Sequence, residues 1–237
     1  MQESIEDKGI LKALFVIGIP GSGKSYTVKQ MKGTISPRVV NTDIATEYAA
    51  RKHNVPANSA NWPKFKDSAH RITKNALQGY INGMLPLFVD GTSNDVSNIQ
   101  HRMGILKSLG YDVGVVYINT NLETAKARAK SRALDIGREV DVSFIEAVHK
   151  QSEENAAYLK SEVEFFRVIN NDGDSVLTDK EMQDAFKAAQ SFFAAPLQNI
   201  VGKRNLEKLK AEKQKYLAPL IMTDEALAHK IDGWYKT

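Results

Sequence analysis

The 237-residue chain reads as an α/β three-layer sandwich: a mainly parallel five-stranded sheet with helices on both faces, plus a C-terminal helical extension. Three observations predict this. Short apolar runs alternate with longer amphipathic stretches from Lys12 to about Phe193, the pattern of strands buried on both faces by crossover helices. A glycine-rich segment, Gly18 to Ser25, sits at the first strand-to-helix junction. After Pro196 the strand-like runs stop and the sequence turns helical and basic.

Each element follows in order. Lys12 to Gly18 (KALFVIG) is a compact apolar run ending at glycine, a buried strand. A helix opens from the glycine-rich segment and runs to about Met31. Pro37 to Asn41 is a short second strand, followed by a helix from about Asp43 to Lys52, for which Asp43 can serve as N-cap. Residues 54–62 carry Asn, Pro, Ala and Ser and read as a loop. Pro63 suits a helix start, ahead of an amphipathic stretch to about Met84. Leu87 to Asp90 is the third strand, and Val96 to Leu109 a helix closed by Gly110.

Tyr111 to Asn119 is the fourth strand. Leu122 to Leu134 is helical and is broken by Asp135-Ile136-Gly137-Arg138; Ser143 to Lys160 is a further helix. Glu164 to Ile169 is the fifth strand, ending in the turn signal Asn170-Asn171-Asp172-Gly173. Thr178 and Glu181 have capping-box spacing for a helix to about Phe193. Pro196 marks the boundary between a domain of residues 1–195 and an extension of residues 196–237.

Composition narrows the function. The longest apolar runs, Leu14 to Ile17 and Val113 to Ile118, fall far short of the roughly 20 residues of a membrane span. The chain has no cysteine, which excludes disulfides, thiolate metal sites and cysteine nucleophiles. The five histidines lack metal-ligand spacing. An EF-hand reading of Asn170 to Gly173 would put Val168 at the first ligand position, which rejects it. Met1 to Lys8 is polar and carries no secretory signal, so a soluble, cytoplasmic protein with no membrane partner is expected. Between Lys203 and Lys215 stand six cations and two anions, which equals the whole net surplus of +4. A second basic stretch runs from Lys64 to Lys74, with Trp62 and Phe65 beside it. Such stretches suit phosphate-rich partners.

Gly18-Ile19-Pro20-Gly21-Ser22-Gly23-Lys24-Ser25 fits G-x-x-x-x-G-K-[ST] in full, after a predicted strand and ahead of a predicted helix. The glycines let backbone N–H groups converge on phosphate oxygens, and the helix N-terminus adds partial positive charge. Lys24 is expected to reach the β- and γ-phosphates, and Ser25 to offer its hydroxyl to Mg²⁺. The segment marks a nucleoside-triphosphate site and makes the predicted sandwich that of a P-loop NTPase.

Four places in the sequence resemble a family: the phosphate loop, Asn41-Thr42-Asp43, Val89-Asp90-Gly91-Thr92, and Arg128, Arg132, Gly137-Arg138 followed by Val140. Over roughly residues 12–195 the chain is similar to the P-loop kinases that include zeta toxins, the kinase domain of phage polynucleotide kinases, and phage kinases of hydroxymethylated DNA bases. The resemblance implies ATP and Mg²⁺ as cofactors and a sheet order of 2-3-1-4-5. Nucleotide contacts are implied for Gly18, Pro20, Gly21, Ser22, Gly23, Lys24, Ser25, Tyr26, Arg128 and Asn171. Ser25 and Asp90 would hold magnesium. Asp43 would orient or deprotonate the acceptor hydroxyl. Arg132 and Arg138, on a lid of residues 128–142, would join Lys24 in stabilising the transferring group.

Residues 44–86 are then the substrate cap. Its cations and aromatics suit a nucleotide or nucleic acid acceptor, carrying a 5′-hydroxyl or a base hydroxymethyl group. A nucleotide-sugar kinase and a non-catalytic ATP-binding module are the alternatives. Residues 200–216 would give extra backbone contacts, bind a protein partner or self-associate.

Overall fold

The computed structural model describes residues 8–33, 35–55, 64–92, 95–136, 140–172 and 179–217. The first half runs β1 (Lys12–Gly18), α1 (Lys24–Met31), β2 (Arg38–Val40), α2 (Thr42–Lys52), α3 (Lys64–Asn82), β3 (Leu87–Thr92) and α4 (Val96–Ser108). The second runs β4 (Asp112–Asn119), α5 (Leu122–Ile136), α6 (Val142–Ser161), β5 (Phe165–Asn170), α7 (Asp179–Ala194) and α8 (Ile200–Leu217). The sheet order is β2-β3-β1-β4-β5, as the resemblance implies. All four strand pairs are parallel, so the sheet is more uniform than the mainly parallel one expected.

β1 lies at the centre, and all seven of its residues are buried. Its side chains alternate between the two faces, as strand geometry requires. Ala13, Phe15 and Ile17 join Val89, Val115, Met103, Leu106 and Leu159 on one face, beneath α4 and α6. Leu14 and Val16 join Phe88, Val116, Ile118, Val28, Met31 and Phe193 on the other, beneath α1 and α7. This double burial explains why the strands read as continuous apolar runs. A third cluster, Ile19, Ala125, Ala129, Ile145 and Val148, packs α5 and α6 beside the phosphate loop.

Lys12 is buried at the start of β1, and its charge is matched by Asp112, its register partner on β4, at 2.7 Å. Asp112 also fastens the C-terminal extension. Its two carboxylate oxygens accept the backbone N–H groups of Gln198 and Asn199 at 2.8 and 2.7 Å. Asn199 in turn donates to the carbonyls of Lys107 and Tyr111. Gly202 sits so close to Gly110 that a β-carbon there would meet the Gly110 carbonyl. Leu197 and Leu206 pack onto the core. The first turns of α8 are therefore seated on the N-terminal edge of the sheet, the edge opposite the phosphate loop.

Between β2 and β3, α2 and α3 form a packed hairpin. The ring of His53, just after α2, stacks on Phe65 of α3 with centroids 5.4 Å apart. Phe65, expected as a surface for an acceptor base, is thus engaged in closing the hairpin. Trp62 and Pro63 lie outside the described residues, as do Gly173 and Thr178.

Candidate active site

The phosphate loop leaves β1 at the C-terminal edge of the sheet, where open parallel sheets bind ligands. Gly21 and Gly23 both adopt left-handed backbone, with φ of +83° and +87°. A β-carbon at Gly21 would strike the Ala125 carbonyl, and one at Gly23 the Asn171 side chain. Gly23 is also the N-cap of α1 and offers no side-chain acceptor. The first N–H groups of α1 are left for an anion. Lys24 Nζ donates to the carbonyls of Gly18 and Ile19, at 2.9 and 3.0 Å, so its ammonium lies over the loop. Ser25 and Tyr26 are exposed beside it, and Tyr26 Oη reaches Met182 Sδ at 3.7 Å. The loop's glycines, lysine and uncapped helix start fit a polyphosphate.

Asn171 and Arg128 hold the loop from behind. Asn171 is 2% exposed. Its Nδ2 donates to the Ser22 carbonyl at 2.7 Å, while its Oδ1 and main-chain carbonyl accept from Arg128 at 3.1 Å each. Thr120 Oγ1 donates to the same Ser22 carbonyl at 3.3 Å. Burial lowers the Arg128 pKa, and Asp172 and Glu181 oppose the shift. Arg128 and Asn171, both among the residues expected to touch nucleotide, are here bonded to each other, and Asn171 to the loop. The hydroxyl of Ser22 is buried with no hydrogen-bond partner among the described residues.

Facing the loop, Asp90 stands near the end of β3. Its carboxyl is raised from the ordinary aspartate value, first because burial disfavours the charge. Lys24, the Asn41 hydrogen bond and Arg132 pull it down, while Asp43 pushes it further up. Those influences place Lys24, Asp43, Asp90 and Arg132 in one electrostatic neighbourhood. Ser25 and Asp90 carry oxygen atoms of the hard kind that Mg²⁺ prefers. Among the described residues no cluster of three metal-ligating side chains exists.

Asn41, part of the Asn41-Thr42-Asp43 segment, is the residue to which sequence reasoning gave no role of its own. The helix cap expected of Asp43 is made by Asn41, whose Oδ1 accepts from the N–H groups of Asp43 and Ile44 at 2.8 and 3.4 Å. Its Nδ2 donates to Asp90 Oδ2 at 2.6 Å. One amide therefore bonds the Asp90 carboxylate and the backbone N–H of Asp43, whose side chain is exposed in the first turn of α2. A signal was present, because Asn ranks with Asp at N-caps. Across the cleft, Arg132 of α5 bonds Glu47 of α2 at 2.7 Å. Arg138 lies outside the described residues.

The family model for zeta toxin matches residues 2–183. No curated protein matches the chain. Among solved structures, the PezAT toxin–antitoxin system of Streptococcus pneumoniae aligns with a TM-score of 0.53 at 14% identity, covering 87% of each chain. A candidate kinase from Chloroflexus aurantiacus J-10-fl aligns at 0.55 and 12% identity, covering 77% of this chain and 98% of its own. The Pnkp1/Rnl/Hen1 RNA repair complex aligns at 0.50 and 18% identity, over 69% of this chain and half of that one. At such identities the structures speak for the fold, whereas the family match spans most of the sequence. The chain belongs to the zeta toxin family, with the fold and phosphate loop of the P-loop kinases.

Proposed function

We propose that this protein is an ATP-dependent phosphotransferase that moves the γ-phosphate to a hydroxyl on a polynucleotide or nucleotide, either a 5′-hydroxyl or a base hydroxymethyl group. The observation that carries the reading is a phosphate loop with the Lys24 ammonium over it, beside a β3 end where Asn41 bonds Asp90 and caps the helix turn that bears Asp43. Lys24 and the loop N–H groups would hold the phosphates. Ser25 and Asp90 would hold Mg²⁺, which supplies neutralisation of phosphate charge when bound. Asp43, exposed at the start of α2, would accept the proton of the attacking hydroxyl. Arg132 would meet the charge that gathers on the equatorial oxygens, and Arg138 is assigned the same task from sequence.

The nature of the acceptor rests on the α2–α3 hairpin. Arg51, Lys52, Lys66, Arg71 and Lys74 are exposed along it, and Ile44 and Tyr48 are 50% and 67% exposed on the first helix. Cations beside an accessible aromatic favour an acceptor with phosphates and a base. A nucleotide-sugar acceptor is the second reading, favoured by the family match. The cations of α8 would serve a partner or a distant stretch of the acceptor, because its anchored turns lie at the other edge of the sheet.

The test is transfer of label from γ-labelled ATP, with Mg²⁺, to 5′-hydroxyl DNA and RNA, hydroxymethyluracil DNA, nucleosides, mononucleotides and UDP-sugars. Label on a nucleic acid or nucleotide is the expected result. Label on a UDP-sugar alone would establish the second reading, and phosphate release without transfer would leave a nucleotide-binding module. Asp43→Asn is expected to abolish transfer while ATP still binds. Loss of ATP binding instead would refute the role given to Asp43.

A further inference from the structure

Glu47 lies one turn beyond Asp43 on α2, so the two carboxylates share a helix face. Its Oε1 accepts from Arg132 Nη2 at 2.7 Å, with side-chain exposures of 22% and 45%. Arg51 approaches the other carboxylate oxygen at 3.7 Å. α2 follows β2, and α5 follows β4, with β3 and β1 between them. Three strand spacings amount to about 14 Å, so this ion pair bridges the cleft from the acceptor wall to the wall that leads to the lid. It does so close enough for Arg132 to act on Asp90. A half-exposed pair of long side chains exchanges partners easily. A γ-phosphate entering beside Lys24 offers Arg132 more charge and two acceptor oxygens in place of one.

We propose that Glu47 is a positioning residue: it holds Arg132 across the mouth of the cleft and yields it to the γ-phosphate when nucleotide binds. Binding of ATP thus breaks a contact between the acceptor hairpin and α5, and leaves the Glu47 carboxylate facing the acceptor beside Asp43. The inference rests on the ATP reading above and names the residue that ties nucleotide binding to the acceptor wall.

The experiment is calorimetric titration of the full chain with Mg·ATP and with Mg·ADP, in wild type, Glu47→Gln, Arg132→Ala and the double variant. Glu47→Gln is expected to tighten ATP binding by roughly threefold to fivefold, the worth of an exposed ion pair, and to leave ADP binding unchanged. In the Arg132→Ala background the same substitution is expected to do nothing. The gain should shrink in high salt, which screens the pair. An equal effect in both backgrounds, an equal effect on ADP, or no tightening overturns the role of Glu47. Wild type that fails to bind ATP, or binds it equally well as Lys24→Ala, overturns the ATP reading itself and this inference with it.

Discussion

Asp90 is the residue on which most of the site's electrostatics converge. Its pKa is raised by burial, so the folded protein holds that proton more tightly than the unfolded chain does. The sign follows from linkage: stability is lost as pH climbs from the ordinary carboxylate value through the raised one, then levels off. Asp90→Asn mimics the protonated form. Its melting temperature is expected to match wild type near about pH 3, where aspartate is protonated, and to exceed it above the raised pKa. Melting curves that keep a constant offset at every pH would show that Asp90 carries no such penalty. Sequence reasoning reached Asp90 and Asp43 through the family resemblance, helped by their place after strands at the ligand-binding edge. It missed Asn41 because a single amide that bridges two carboxylate positions, 2.6 Å from one and capping the turn of the other, has no spacing signature.

At the scale of elements, α5 shows how far periodicity reaches. Arg128 and Arg132 are four residues apart and share a face, as their spacing requires. Their partners, Asn171 after β5 and Glu47 on α2, come from opposite ends of the sheet order. No local rule distinguishes an arginine that braces a loop from one that bridges a cleft. The bracing role predicts that Asn171→Ala leaves Arg128 and the Ser22 carbonyl short of partners. Stability should fall by about 1–3 kcal/mol, the cost of buried polar groups losing a bond. The ATP-induced rise in melting temperature should shrink as well, because the loop is no longer held in its binding shape. Thermal melts with and without Mg·ATP measure both, and an undiminished ATP effect would remove Asn171 from the support of the loop.

For the whole molecule, the extension behaves as part of the sheet's N-terminal edge over its first turns. Asp112 is shared between buried Lys12 and the chain after Pro196. A chain ending at residue 195 would strip Asp112 of two backbone donors and expose the surface under Leu197 and Leu206. It is expected to melt at a lower temperature yet bind ATP, since the loop lies about 20 Å away along β1 at the usual rise per residue. Unchanged melting would mark residues 196–237 as an independent appendage, and loss of ATP binding would mean that they support the site at a distance.

Strand and helix order and the phosphate loop were determined by sequence alone, and the family resemblance pointed to the acidic residues at the sheet edge. The first two depend on contacts within a few residues: apolar periodicity, glycine backbone freedom, a lysine at a set distance from a helix start. The family resemblance added the strand order, which periodicity cannot supply. Tertiary structure alone decided the rest. It matched buried Lys12 to Asp112, tied Asn41 to Asp90, committed Asn171 to the loop, paired Arg132 with Glu47 and seated α8 away from the site. The physical reason is common to all five. A polar group, buried or at the cleft, takes whichever partner the packed elements bring within about 3 Å, and that partner is chosen by how strands stack across the sheet.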